Sequence, residues 1–168
     1  MSSILKVDQI QLADGNAAST ADLGLTTSMP TGSVLQVVNG RTNTNFNTQS
    51  TSYTDTYLYA SITPSSASSK ILILVDQAGF CAAGTGDYQI FYNICRGSTV
   101  INENRVQYSY ASDWQYAANN CKYLDSPNTT SSVTYKTQVK TASGVNPTIY
   151  MNWDSSSYSN IILMEIAG

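Results

Sequence analysis

From Ser33 to Gly168 no run of twelve or more residues repeats its apolar side chains at helical spacing, whereas short segments alternate or run apolar and then stop. Such a chain is restricted to strands. The segments are 34–38, 53–63, 71–77, 88–96, 100–108, 114–123, 132–141, 148–153 and 160–166. Asn39-Gly40 closes the first, Pro64 the second and Gly79 the third, and clusters of Gly, Pro, Asn and Ser divide the rest. Strands at this density predict an all-β antiparallel β-sandwich of the jelly-roll kind over residues 32–168.

Alternation assigns faces. In 132–141, Val133, Tyr135 and Val139 share one side and Thr134, Lys136, Gln138 and Lys140 the other, the pattern of a strand with one wet face. In 53–63, Leu58, Ala60 and Ile62 form the core side, so Tyr57 and Tyr59 point away from it. Two strands are apolar on both sides: Ile71-Leu72-Ile73-Leu74-Val75 and Ile161-Ile162-Leu163-Met164. The outer surface of a lone two-layer sandwich offers them no second cover. Copies of the same chain supply it in a homotrimer with the last strand near the axis, and the expected interface comprises Tyr57, Tyr59, Leu72, Leu74, Ile162 and Met164.

Composition supports the same reading. Only 11% of residues are charged, while 23 Ser, 19 Thr and 14 Asn make up a third of the chain, so hydroxyls and amides wet the surface. The 42% of hydrophobic residues supply a core. There is no His, which removes Ser-His-Asp and Cys-His catalysis and most zinc chemistry within one chain. Glu103 and Glu165 are the only glutamates, and Glu165, inside an apolar strand, is expected to meet a Lys or Arg at an interface rather than a substrate. No enzymatic activity, cofactor or metal is expected. The eight basic residues are scattered against eleven acidic ones, giving no footprint for nucleic acid, and no apolar stretch is long enough to insert in a membrane. Cys81, Cys95 and Cys121 lack metal or disulfide spacing and are expected as buried thiols.

Residues 1–31 differ from the remainder. Ile4, Leu5, Val7 and Ile10 give the apolar side of a short strand-like segment; 17–25 suits either one or two helical turns or an extended stretch. This is the composition of an arm that pairs with an edge or groove on another protein.

Three stretches carry a resemblance: Ile4-Leu5-Lys6-Val7-Asp8-Gln9-Ile10-Gln11 at the start, the segment from Pro30-Thr31-Gly32-Ser33-Val34 to Ser68-Ser69-Lys70-Ile71, and Leu163-Met164-Glu165-Ile166-Ala167-Gly168 at the end, with Arg96-Gly97-Ser98-Thr99 as a hairpin corner. In these the sequence resembles virion structural proteins of tailed bacteriophages, marine and cyanobacterial ones especially. The resemblance implies a virion component assembled in the bacterial cytoplasm. Its trimeric jelly-roll head would be of the C1q or tumour-necrosis-factor type, and the N-terminal arm would dock on another virion protein. A short tail fibre that adheres to the host is the leading expectation; a capsid decoration protein and a free lectin-like module are the alternatives.

The densest aromatic group, Tyr108, Tyr110, Trp114 and Tyr116 with Asp113 among them, offers ring faces for a host glycan, or else fills a subunit interface. Trp153 with Asp154 invites the same thought, but alternation with Ile149 and Met151 assigns Trp153 to the core. Gly84-Thr85-Gly86-Asp87 lacks the Lys and helix of a phosphate loop and reads as a turn.

Overall fold

The computed structural model describes residues 29–82, 88–108, 115–116, 119–142, 148–153 and 156–168, with the backbone alone at 80–82, 88, 106–108 and 115–116. The expected arm with Ile4, Leu5, Val7 and Ile10, the segment 17–25 and the turn at 84–87 lie outside the described residues.

Twelve strands are described: β1 Val34–Thr42, β2 Phe46–Thr48, β3 Thr54–Ile62, β4 Lys70–Gln77, β5 Gly79–Ala82, β6 Tyr88–Arg96, β7 Thr99–Tyr108, β8 Gln115–Tyr116, β9 Asn119–Asp125, β10 Val133–Thr141, β11 Thr148–Met151 and β12 Ser159–Ile166. Two four-stranded sheets, β1-β12-β4-β9 and β3-β10-β6-β7, face each other, and a third, β2-β11-β5-β8, is built from their connections. All pairs are antiparallel and nested: β1 with β12, β3 with β10, β4 with β9, β6 with β7. This nesting is a hairpin folded over on itself, the jelly roll.

The topology gives the sandwich two unlike ends. Passages β1 to β3, β4 to β6, β7 to β9 and β10 to β12 lie at one end, and each contributes one short strand to the third sheet. We call this end the tip. The opposite end, the base, holds the β3–β4, β6–β7 and β9–β10 turns and the points where the chain enters β1 and leaves β12.

The core between the sheets contains Leu58, Ala60, Ile62, Ile71, Ile73, Val75, Ile94, Cys121, Tyr135, Ile161 and Leu163. Each fully buried aliphatic side chain contributes about 1.5–3 kcal/mol. The alternation read from 132–141 and 53–63 is the alternation observed: Tyr135 and Val139 are buried, as are Leu58, Ala60 and Ile62. The β6–β7 corner is Arg96-Gly97-Ser98-Thr99, with Gly97 at φ +59° in the first central position of a two-residue loop, a conformation glycine adopts without steric cost.

Three expectations require correction. Asn39-Gly40 does not end the first strand, because β1 runs on to Thr42. Gly40 serves contact instead: a Cβ there would overlap the carbonyl oxygen of Tyr59 and the Ile161 side chain, so glycine lets β1 lie against β3 where the two sheets meet. The segment 114–123 is two strands, β8 in the third sheet and β9 in the first. The short strands β2 and β5 carry too few residues for alternation to show. Trp153 is not in the core but half exposed, at 50%. β11 stops at Met151, and Asn152 at φ +51° reverses the alternation that buries Ile149 and Met151.

Candidate functional site

Three regions combine chemistry with exposure: the outer face of β1-β12-β4-β9, the base and the tip.

On the first, one row of the ladder crosses the whole sheet as Val37, Met164, Leu72 and Leu124, and the next as Asn39, Ile162, Leu74 and Lys122. Val37 is 57% exposed and Leu124 50%; Leu72, Leu74, Ile162 and Met164 between them are half-buried. The alternation that sends Ile71, Ile73, Val75, Ile161 and Leu163 inward sends these outward. Farther towards the tip the face turns polar with Arg41, Asn160, Asp76 and Asn120.

The six residues expected at one interface occupy two surfaces. Leu72, Leu74, Ile162 and Met164 form the patch just described. Tyr57 and Tyr59, 55% and 63% exposed, lie on the outer side of β3, the edge strand of the other sheet. From Asp55 to Tyr59, β3 bulges against the two-residue step Lys136 to Gln138 of β10. Inside the bulge Tyr57 has φ +62° and meets Phe46 edge-on at 5.7 Å, while Thr56 turns inward to share a 2.5 Å hydroxyl hydrogen bond with Thr137.

At the base, Glu165 is fully buried, yet among the described residues no Lys or Arg pairs with it, contrary to expectation. Its Oε1 accepts from Ser65 N (2.7 Å) and Ser65 Oγ (2.6 Å), and its Oε2 from Gln36 Nε2 (2.6 Å). Burial alone would raise its pKa; the hydrogen-bonding groups of Ser65, Gln36 and Ser69 outweigh that and hold it at about 2. A second buried carboxylate, Asp125 of β9, pairs with Arg96 at 3.0 Å and accepts from Tyr135 Oη at 2.7 Å. Burial, then the hydrogen bond to Asp125, pushes the Tyr135 phenol well above its ordinary value. These two carboxylates tie β1 and the β3–β4 turn to β12, and β9 to β6 and β10. Gly32 N and Ala167 N add reciprocal bonds between the entering and leaving chain, to Ala167 O and Ser33 O at 2.8 Å each.

At the tip, Trp153 packs edge-on against Tyr150 with ring centroids 4.8 Å apart. Asn45 Nδ2 donates to Trp153 O at 3.0 Å. Asn152, buried, is held by Ser159 Oγ donating to its Oδ1 (2.8 Å), by its Nδ2 donating to Thr44 O (3.2 Å) and by its N donating to Ala78 O (3.2 Å). Tyr150 stands in register with Asn47 and Phe80, and Phe80 with Tyr116. Of the aromatic group expected to bind glycan, Tyr116 and Tyr108 are therefore placed at the tip by backbone register, whereas Tyr110, Asp113 and Trp114 lie outside the described residues.

Cys95 and Cys121 are buried free thiols on different sheets, and burial pushes both pKa values up. Among the described residues no three Cys, Asp or Glu side chains converge as a metal ion would require.

No family model and no curated protein matches the chain. Among solved structures it is similar to infectious bursal disease virus of the Gx strain (12% identity, 96% of this chain and 37% of that one, TM-score 0.44). It is also similar to the VP2 subviral particle of that virus (14% identity, 79% and 33%, TM-score 0.43). A third is the insecticidal delta-endotoxin Cry8Ea1 of Bacillus thuringiensis (14% identity, 73% and 19%, TM-score 0.39). The chain spans between about a fifth and two fifths of the length of these structures.

Proposed function

We propose that this chain is a non-enzymatic virion structural protein of a tailed bacteriophage, the head of a short homotrimeric tail fibre joined to the particle through residues 1–31. The observation that carries this reading is the polarity of the domain. The chain enters and leaves at the base, where two buried carboxylates and the Gly32–Ala167 pairing fasten the turns. The exposed Trp153 and the third sheet lie at the other end, a strand length away, roughly 25 Å at 3.3 Å per residue. Attachment at one end and contact at the other is the arrangement an adhesion head requires.

Trimerisation uses the apolar patch of Leu72, Leu74, Ile162 and Met164. In a ring of three each contact joins two different surfaces, so the patch of one copy packs on the Tyr57 and Tyr59 edge of the next. That assignment accounts for both exposed surfaces with one contact.

Two measurements test the reading. The full chain is expected to show a trimer mass by light scattering at micromolar concentration, and Leu72→Lys with Met164→Lys to show a folded monomer; a wild-type monomer refutes the assembly. Deleting residues 1–30 should leave a soluble trimer that no longer joins particles, and normal incorporation of the truncated protein refutes the docking role. The ratio to the major capsid protein in purified virions separates fibre from decoration: tens of copies or fewer support the fibre, hundreds overturn it.

A further inference from the structure

We infer that the tip carries a binding site for a neutral glycan, centred on Trp153 and Tyr150 and rimmed by Asn45, Asn47, Gln49 and Thr148. The inference names the ligand class for the contact end proposed above, but it stands on the tip geometry by itself.

An exposed Trp is ordinarily a liability, and here the fold commits buried groups to holding one out. β11 would carry residue 153 inward with Ile149 and Met151 if its alternation continued. Asn152 prevents this by taking a left-handed conformation that costs a non-glycine residue free energy. Its side chain and amide are engaged with Ser159, Thr44 and Ala78, so the reversal is fixed rather than adventitious. Asn45 pins the Trp153 carbonyl from the facing connection, and an edge-to-face contact with Tyr150 fixes the indole. The result is a preorganised ring face, which loses little conformational freedom when a ligand stacks on it.

The rim identifies the ligand. Asn45, Asn47, Gln49 and Thr148 supply amides and a hydroxyl but no charge, and Gln49 Nε2 donates to Thr148 Oγ1 at 2.7 Å, joining the two connections that frame the surface. Arg41 on the adjoining β1 is stacked on Tyr158 at 3.6 Å. An aromatic face bordered by neutral donors and acceptors matches the apolar face and ring hydroxyls of an uncharged sugar; a phosphate or an acidic polysaccharide would need cations, and the described residues of this rim carry none.

The test uses the full chain on a printed array of neutral hexose and N-acetylhexosamine oligosaccharides, with sialylated and phosphorylated oligosaccharides alongside, and light scattering and thermal melting on the same samples. The wild type should bind one or more neutral glycans. Trp153→Ala should weaken that binding by about 30-fold, the loss expected when an aromatic anchor is truncated, and Trp153→Phe by less, with the melting temperature and mass unchanged in both. Binding to no neutral glycan, binding confined to the anionic ones, or wild-type binding by Trp153→Ala each overturns the site. Because mass is read separately, a monomer that still binds through Trp153 refutes the trimer and leaves the glycan site standing.

Discussion

Replacing Glu165 with Gln removes one charge from the base and little volume, which makes it the sharpest probe of what fastens that end. The carboxylate takes three hydrogen bonds, two from Ser65 and one from Gln36, whose amide also donates to Thr63 O at 2.8 Å. A Gln at 165 keeps one acceptor oxygen for Ser65 but points an N–H pair at the Gln36 amide. Gln36 can accept from it only by turning over and giving up Thr63 O. Donors thus face donors in a buried site, where an unmet polar group costs about 1–3 kcal/mol.

The pKa gives a second route to the magnitude. A folded value of about 2 against an ordinary 4.5 corresponds to about 3 kcal/mol at pH 7. Because the folded pKa is the lower one, this contribution is present in full above the unfolded value and drains away as pH falls towards 2. At pH 3 about 2 kcal/mol of it is gone. Urea unfolding of wild type and Glu165→Gln at one fixed protein concentration should therefore show a gap of about 3 kcal/mol at pH 7 that narrows to about 1 kcal/mol at pH 3. The lowered pKa of Asp55 is common to both proteins and cancels in the difference. Equal stabilities at pH 7, or a gap of the same size at both pH values, would refute the account of Glu165 as a buried, ionised clamp.

Gly40→Ala should cost about 1–3 kcal/mol, because the added methyl meets the Tyr59 backbone and β1 must part from β3; an unchanged thermal melt would show that the edge can yield. Tyr135→Phe deletes the hydroxyl that donates to Asp125 and leaves Arg96 as its charged partner. The expected loss is about 2 kcal/mol, read from the urea midpoint, and a neutral result would show that Arg96 alone meets the needs of Asp125.

What the sequence disclosed depended on whether a residue's neighbours are local. Alternation in 53–63 and 132–141 needs only the residues themselves, and it assigned Leu58, Ala60, Ile62, Tyr135 and Val139 to the core as the structure has them. The outward apolar set Leu72, Leu74, Ile162 and Met164 was legible for the same reason. Gly40 misled because Asn-Gly marks a hairpin turn in most contexts, whereas here the glycine answers to Tyr59 on another sheet. Glu165 was assigned a cation as partner because an ionised group in an apolar strand needs compensation. The compensation came from amides and a hydroxyl of Gln36 and Ser65, 129 and 100 residues away in sequence, and no local signal marks them. Trp153 failed similarly: Ile149 and Met151 set a period that Asn152 breaks, and the partners that make the break affordable are Thr44, Ala78 and Ser159.

The nested pairing explains why the tip was the least legible part. Each base turn joins strands that are consecutive in the chain, so its residues announce themselves, as Arg96-Gly97-Ser98-Thr99 does. The third sheet instead gathers Phe46–Thr48, Gly79–Ala82, Gln115–Tyr116 and Thr148–Met151 from four separate passages. None of these segments is long enough to bury a face alone; each becomes a strand only because the two large sheets deliver it beside the others. The same construction frees the tip to vary. The large sheets are closed by their own core and by the carboxylates at the base, so the passages that make the third sheet carry side chains such as Trp153 and Asn47 at little cost to the fold that presents them. Stability concentrated at one end and exposed aromatic chemistry at the other follow from a single feature, the repeated crossing of the chain from sheet to sheet at the tip.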